Sequence, residues 1–261
     1  MLRPLSSLQK FAIRAVDGDI GAVADCYFDD RQWVVRYLVV DTQRWLPGSR
    51  KVLISPYSVS GIDWQNECVN VSITREQVKS SPSIDLDKPV SRQHETDFLD
   101  YYGYPYYWGG GMLWGVAASP AIARPPAGPE MERELRQRRE AEDADPHLRS
   151  ADYVSGYNIQ ARDGVIGHVD DFIFDEQSWE VRFFVIDTRN WLPGRHVVLA
   201  TEWIEEVNWE QSLVHVPLTR DAIRASPEWD EDESLSESAE QSLYAHYGRT
   251  RDVGLRSQRH R

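Results

Sequence analysis

A mainly β protein built from two copies of one small module is the fold class this sequence predicts, and three observations predict it. The first is internal repetition: residues 17–48 and 163–194 of the 261-residue chain are identical at 18 of 32 positions at a constant offset of 146. The second is size. Each copy runs to roughly 100 residues, too long for a solenoid repeat and suited to a domain with its own core. The third is that β-branched and aromatic runs alternate with turn signals at short spacing through both copies, the pattern of a small all-β barrel or sandwich.

In the first copy the alternation predicts strands near residues 10–15, 20–28, 34–41, 51–54, 58–64 and 68–73. The second copy repeats the order near 157–161, 166–174, 180–187, 196–200, 204–209 and 213–218. Asp17-Gly18 and Asp163-Gly164 supply the positive φ of a tight hairpin, so Gly18 and Gly164 are read as structural turn residues. The Leu-Pro-Gly turns at Gly48 and Gly194 place Pro and Gly as a type II turn requires. After the last strand, Thr74 and Thr219 are N-caps of short helices that break at Ser81-Pro82 and Ser226-Pro227. A second helix follows in each copy, from Ser91 to a stop at Gly103 and from about Ser236 to a stop at Gly248. The implied domains are residues 1–108 and 149–248, each expected to fold alone. Residues 109–148 form a flexible linker and 249–261 a basic tail.

Charge and cysteine narrow the function classes. The formal charge is −13, and residues 149–248 hold 20 acidic against 7 basic residues, so the second copy accounts for all of it. Nucleic-acid affinity rests on neutralising phosphates with Lys and Arg, so this balance argues against DNA or RNA and for a basic partner surface. The two cysteines, Cys26 and Cys68, have the apolar counterparts Phe172 and approximately Leu213, which predicts buried free thiols and fits a reducing compartment. The first fifteen residues lack the apolar core of a secretory signal, so a cytoplasmic location is expected. No apolar run reaches the length of a membrane span.

The motifs themselves carry a family likeness. Asp-Gly-x-Ile-Gly, Phe28-Asp29 and Phe174-Asp175 at a strand end, Val-Arg-(Tyr/Phe)-x-Val-x-Asp, the Trp-Leu-Pro-Gly turn and the closing Thr-Arg-(Glu/Asp) with Ser-Pro together resemble the PRC-barrel domain. The likeness covers about residues 5–107 and 150–248. It is nearest to stand-alone bacterial members and to the cytoplasmic part of the photosynthetic reaction-centre H subunit, through Val90-Ser91-Arg92-Gln93 and Tyr102-Gly103-Tyr104-Pro105. The resemblance implies two six-stranded β-barrels, each followed by short helices, acting as a non-enzymatic interaction or assembly module. The alternative it implies is an adaptor attached peripherally to a membrane or linked to RNA processing on the ribosome.

No constellation reads as catalytic, and neither a cofactor nor a metal is expected. The carboxylates Asp25, Asp29 and Asp30, with Asp171, Asp175 and Glu176 matching them, lack calcium-loop spacing and suit turn hydrogen bonding better. Of the second copy's histidines, His168, His196 and His215 face Ala22, Arg50 and Asn70 in the first copy, which excludes a duplicated metal site and leaves open one private to the second copy. The aromatic residues are the stronger signal for contact. Trp45 and Trp191 lie beside turns, and Tyr101, Tyr102, Tyr104, Tyr106, Tyr107 and Trp108 form a ribbon without a full equivalent in the second copy. These eight are the expected interface with a protein partner or a second copy of the chain, since Tyr and Trp give large contact area at low entropic cost.

Overall fold

Long runs of β-branched and aromatic residues set the architecture, which a computed structural model describes for residues 1–42, 51–82, 90, 92–108, 110–123, 147–188, 196–229 and 234–250. Strands β1 (Leu2–Pro4), β2 (Ala12–Ala15), β3 (Gly18–Asp29), β4 (Val34–Asp41), β5 (Lys51–Ile54), β6 (Val59–Asp63) and β7 (Cys68–Val71) precede helices α1 (Arg75–Ser80) and α2 (Arg92–Tyr102). The second half brings β8 (Leu148–Ser150), α3 (Ala151–Val154), β9 (Asn158–Ala161), β10 (Gly164–Asp175), β11 (Val181–Asp187), β12 (His196–Ala200), β13 (Glu206–Asn208), β14 (Leu213–His215), α4 (Arg220–Arg224) and α5 (Glu237–His246).

The protein is mainly β, with two seven-stranded sheets and short helices. Six strands of each sheet lie in the order β5-β4-β3-β2-β7-β6 and, in the second copy, β12-β11-β10-β9-β14-β13, with β2 and β9 meeting β7 and β14 in parallel. The seventh strand is the departure from expectation. β8 pairs with β3 and β1 pairs with β10, so each sheet receives a strand encoded beside the other copy. The compact units are accordingly discontinuous. One, the second-copy unit, holds Met1–Ser7, Ser150–Glu176 and Glu180–Gly254; the other, the first-copy unit, holds Leu8–Arg149 and Gln177–Trp179. The boundaries at 108 and 149 read from the repeat therefore leave out one strand of each sheet.

Within the first-copy unit, β4 is buried along nearly its whole length and reads Val34-Val35-Arg36-Tyr37-Leu38-Val39-Val40, the run of a strand covered on both faces. β3 bends through two bulges, between Val23 and Asp25 and between Tyr27 and Phe28, and β10 repeats both at Val169/Asp171 and Ile173/Phe174. Gly21 and Gly167 are required for close approach: a Cβ there would lie 2.0 Å from the Asp41 carbonyl oxygen and 2.1 Å from that of Asp187. Cys26 and Cys68 are buried free thiols, as their apolar counterparts predict.

The short helices are positioned by caps legible in the sequence. Thr74 and Gln77 form a reciprocal capping box, Thr219 accepts from the Ala222 amide, and Ser236 from that of Ala239. Gly103 (φ +69°) and Gly248 (φ +60°) end α2 and α5 in the left-handed conformation. Gly18 and Gly164 do take positive φ, +138° and +140°. Their preceding aspartates act further along the chain. Asp17 and Asp163 accept the Arg75 and Arg220 amides, each at 2.8 Å, and so tie the first hairpin to the first turn of a helix. Ser91, Gly48 and Gly194 lie outside the described residues.

Candidate functional site

The aromatic ribbon turns inward. Tyr106 is 7 % and Tyr107 2 % exposed, Tyr102, Tyr104 and Trp108 are half-buried, and Tyr101 alone of the six is open to solvent, at 40 %. The chain continues past it in an ordered arm rather than a linker: bridges close Met112 on Gly115 and Trp114 on Ala117, and a single 3-10 turn follows at Pro120–Ile122. Trp114, Ala117 and Pro120 are buried. Residues 109 and 124–146 of the expected linker, with Trp45 and Trp191, lie outside the described residues.

A buried cation lies against the end of the ribbon. Arg36 sits mid-strand on β4 and is 1 % exposed. Its guanidinium lies over the Tyr107 ring at 3.7 Å and the Trp114 ring at 4.8 Å from the centroids. It donates to the Leu113 carbonyl at 2.6 Å, to Gln32 Oε1 at 2.5 Å and to Asp29 Oδ2 at 3.3 Å. A buried charge has to be paired and hydrogen-bonded, and a ribbon of π faces ending in a carbonyl meets that need. Beside it, Glu95 of α2 accepts from Tyr37 at 3.1 Å and Tyr107 at 2.5 Å, and its other oxygen lies 3.0 Å from His147 Nε2. The second copy buries a cation at the same position. Arg182 donates to Glu240 Oε1 at 2.5 Å, and although burial works to lower its pKa, the Glu240 and Glu180 carboxylates raise it on balance.

Of the strand-end carboxylates, Asp25 and Asp29 accept amides of their own strand end and turn, from Cys26 and from Arg31, while the others engage the added strands or the segment that follows β1. Asp30 accepts from Arg149 at 2.7 Å, and its backbone amide donates to the His147 carbonyl. Burial raises the Asp30 pKa while Arg149 pulls it down. In the second-copy unit Glu176 accepts from Arg3 at 3.3 Å, and Met1's amino group lies within 3.8 Å of both Asp175 and Glu176. Asp171 accepts from the Ser6 hydroxyl at 2.5 Å, and burial pushes its carboxyl up to about 6 against the hydrogen bonds from Ser6 and the Phe172 amide.

That shift has a sign. With the folded pKa above the unfolded one, the folded state holds more protons between about pH 4 and pH 6, so the contribution of Asp171 to stability falls as pH rises through that window. Asp171→Asn should therefore gain stability relative to the wild type from pH 4 to pH 6 and hold a constant offset above it. Urea midpoints of both proteins at pH 4, 5, 6 and 7 measure this, and a difference independent of pH would contradict it.

Among the described residues, the group with the spacing to hold an ion is elsewhere: His168, Asp170 and Asp187 place ligand atoms within 4.8 Å of one another. The sequence marked His168 and His196 but not Asp170, whose signal is that Ala24 stands at its position in the first copy. No described helix is long and apolar enough to cross a membrane. No protein-family model and no curated protein matches this chain.

Proposed function

We propose that this chain is a tandem PRC-barrel protein with a non-enzymatic role, binding another protein and serving as an assembly module. The observation that carries this reading is the arm of the first-copy unit. Trp114, Ala117 and Pro120 anchor its inner side, while Met112, Val116 and Ile122 stand 45 %, 71 % and 67 % exposed on an uncharged stretch. Large apolar side chains held outward by an ordered, anchored segment suit a contact surface. The partner is a protein with apolar surface for the arm and basic surface for the second copy, which holds all of the chain's net charge of −13. Buried free thiols support a reducing, cytoplasmic setting. Each sheet's six-strand path, with the repeat motifs at corresponding positions, supports the family assignment.

The test is capture from the native host on the full chain, followed by binding of the purified captured protein to wild type and to the triple variant Met112→Ser, Val116→Ser, Ile122→Ser. Affinity should fall at least about tenfold in the variant, as for loss of central anchors at an interface. It should fall further as salt rises. Equal binding by a variant with wild-type melting behaviour would remove the arm from the interface.

A further inference from the structure

We propose that the second-copy unit carries a zinc-class divalent metal site formed by His168, Asp170, Asp187 and His196, with no counterpart in the first copy. The sheet register builds it. His168 on β10 is directly opposite Asp187 on β11, and Asp187 is directly opposite His196 on β12, so three ligand-bearing residues form one row across three neighbouring strands. Directly opposed residues project from the same face with Cβ atoms about 5 Å apart, which gathers their side chains. The fourth member comes from an irregularity. Asp170 is the residue left over at the β10 bulge between Val169 and Asp171, and a bulge re-aims the side chain it carries.

His168, Asp170 and Asp187 place their ligand atoms within 4.8 Å of one another, and His196 reaches the group through Asp170. His168 Nε2 lies 3.9 Å from Asp187 Oδ2, and His196 Nε2 lies 3.7 Å from Asp170 Oδ2. In a tetrahedral site with bonds of about 2.0–2.1 Å, adjacent donors are about 3.3–3.4 Å apart, so these two pairs have about half an ångström or less to close and the widest spacing of the group, 4.8 Å, closes by side-chain rotation of a little over an ångström. The donor set, two imidazoles and two carboxylates, suits zinc and neighbouring transition metals rather than calcium or magnesium. Asp187 is buried and the other three are half-buried, so the ligands are accessible to an ion yet fixed on strands rather than on loops.

Comparison of the copies is the independent observation. The first copy keeps the same bulge, between Val23 and Asp25, and keeps the aspartate at Asp41, but has Ala22, Ala24 and Arg50 where the second has His168, Asp170 and His196. A scaffold common to both copies thus bears ligands in one alone. The ion would fasten β12 to β11 and β10, a structural role consistent with four protein ligands.

The experiment uses the full chain after chelator treatment, titrated with Zn²⁺ by calorimetry and with Co²⁺ by visible absorption. Expected are one equivalent of either metal, a tetrahedral cobalt spectrum and a raised melting temperature. His168→Ala and Asp170→Ala restore the residues that the first copy bears on the same scaffold, so both should fold. Each should weaken binding at least about tenfold, the scale on which even outer-layer partners of metal ligands act. Failure of the full chain to take up either metal, or uptake with unchanged affinity in both variants, would overturn the site. Neither result bears on the arm, which belongs to the other unit.

Discussion

Arg36→Ala is expected to cost the first-copy unit about 3–5 kcal/mol, the scale for removing one partner of a buried ion pair. The substitution leaves the Asp29 carboxylate, 4 % exposed, without the guanidinium that lies 3.3 Å from it. It also empties the space under the Tyr107 and Trp114 rings and removes a donor from the Leu113 carbonyl. Because the ribbon and arm are gathered on this cation, their loosening should accompany the loss. Urea unfolding followed by tryptophan fluorescence measures the first, and amide exchange at residues 106–117 the second. A cost below about 1 kcal/mol would show that the ribbon packs for reasons other than Arg36.

Deleting residues 1–7 should destabilise the second copy although the repeat places them in the first. β1 pairs Leu2, Arg3 and Pro4 with Asp175, Phe174 and Ile173, and the Leu5 amide donates to the Phe172 carbonyl at 2.7 Å. Leu2 and Leu5 are 7 % and 3 % exposed. At about 1.5–3 kcal/mol for each buried leucine, the deletion removes roughly 3–6 kcal/mol, a large share of an ordinary domain's stability. By the same reasoning, residues 149–248 expressed alone should be less stable than in the full chain, and a peptide of residues 1–7 should restore part of the loss. An unchanged denaturation midpoint for the second copy in the truncated chain would mean that β1 contributes nothing to its sheet.

The main elements were legible because local chemistry fixes them. The twelve paired runs, the caps at Thr74, Thr219 and Ser236 and the glycine stops at Gly103 and Gly248 each depend on residues within a few positions, and the repeat reads every one of them twice. Residues 2–4 and 148–150 could be seen as equivalent, since Leu-Arg recurs at the same offset of 146. Nothing in three residues says which of two near-identical sheet edges they join. Arg3 on Glu176 and Arg149 on Asp30 are the pairings that only the folded chain decides.

The ribbon shows the same division. Its composition, Tyr101 to Trp108 without a charge, marks it for contact, because aromatic area is favourably removed from water either by a partner or by the chain itself. That the chain itself covers most of it is decided by contacts far apart in sequence, among them Tyr107 on Arg36 of β4, about seventy residues away. Likewise the sequence determined that His168 and His196 belong to the second copy alone, whereas the register across β10, β11 and β12 decided that both stand opposite Asp187. Periodicity, capping and turns act over a few residues and are written in order along the chain. Strand exchange, burial of a charge and convergence of ligands join residues far apart in sequence, and their outcome is set by which groups must satisfy one another once water has been excluded.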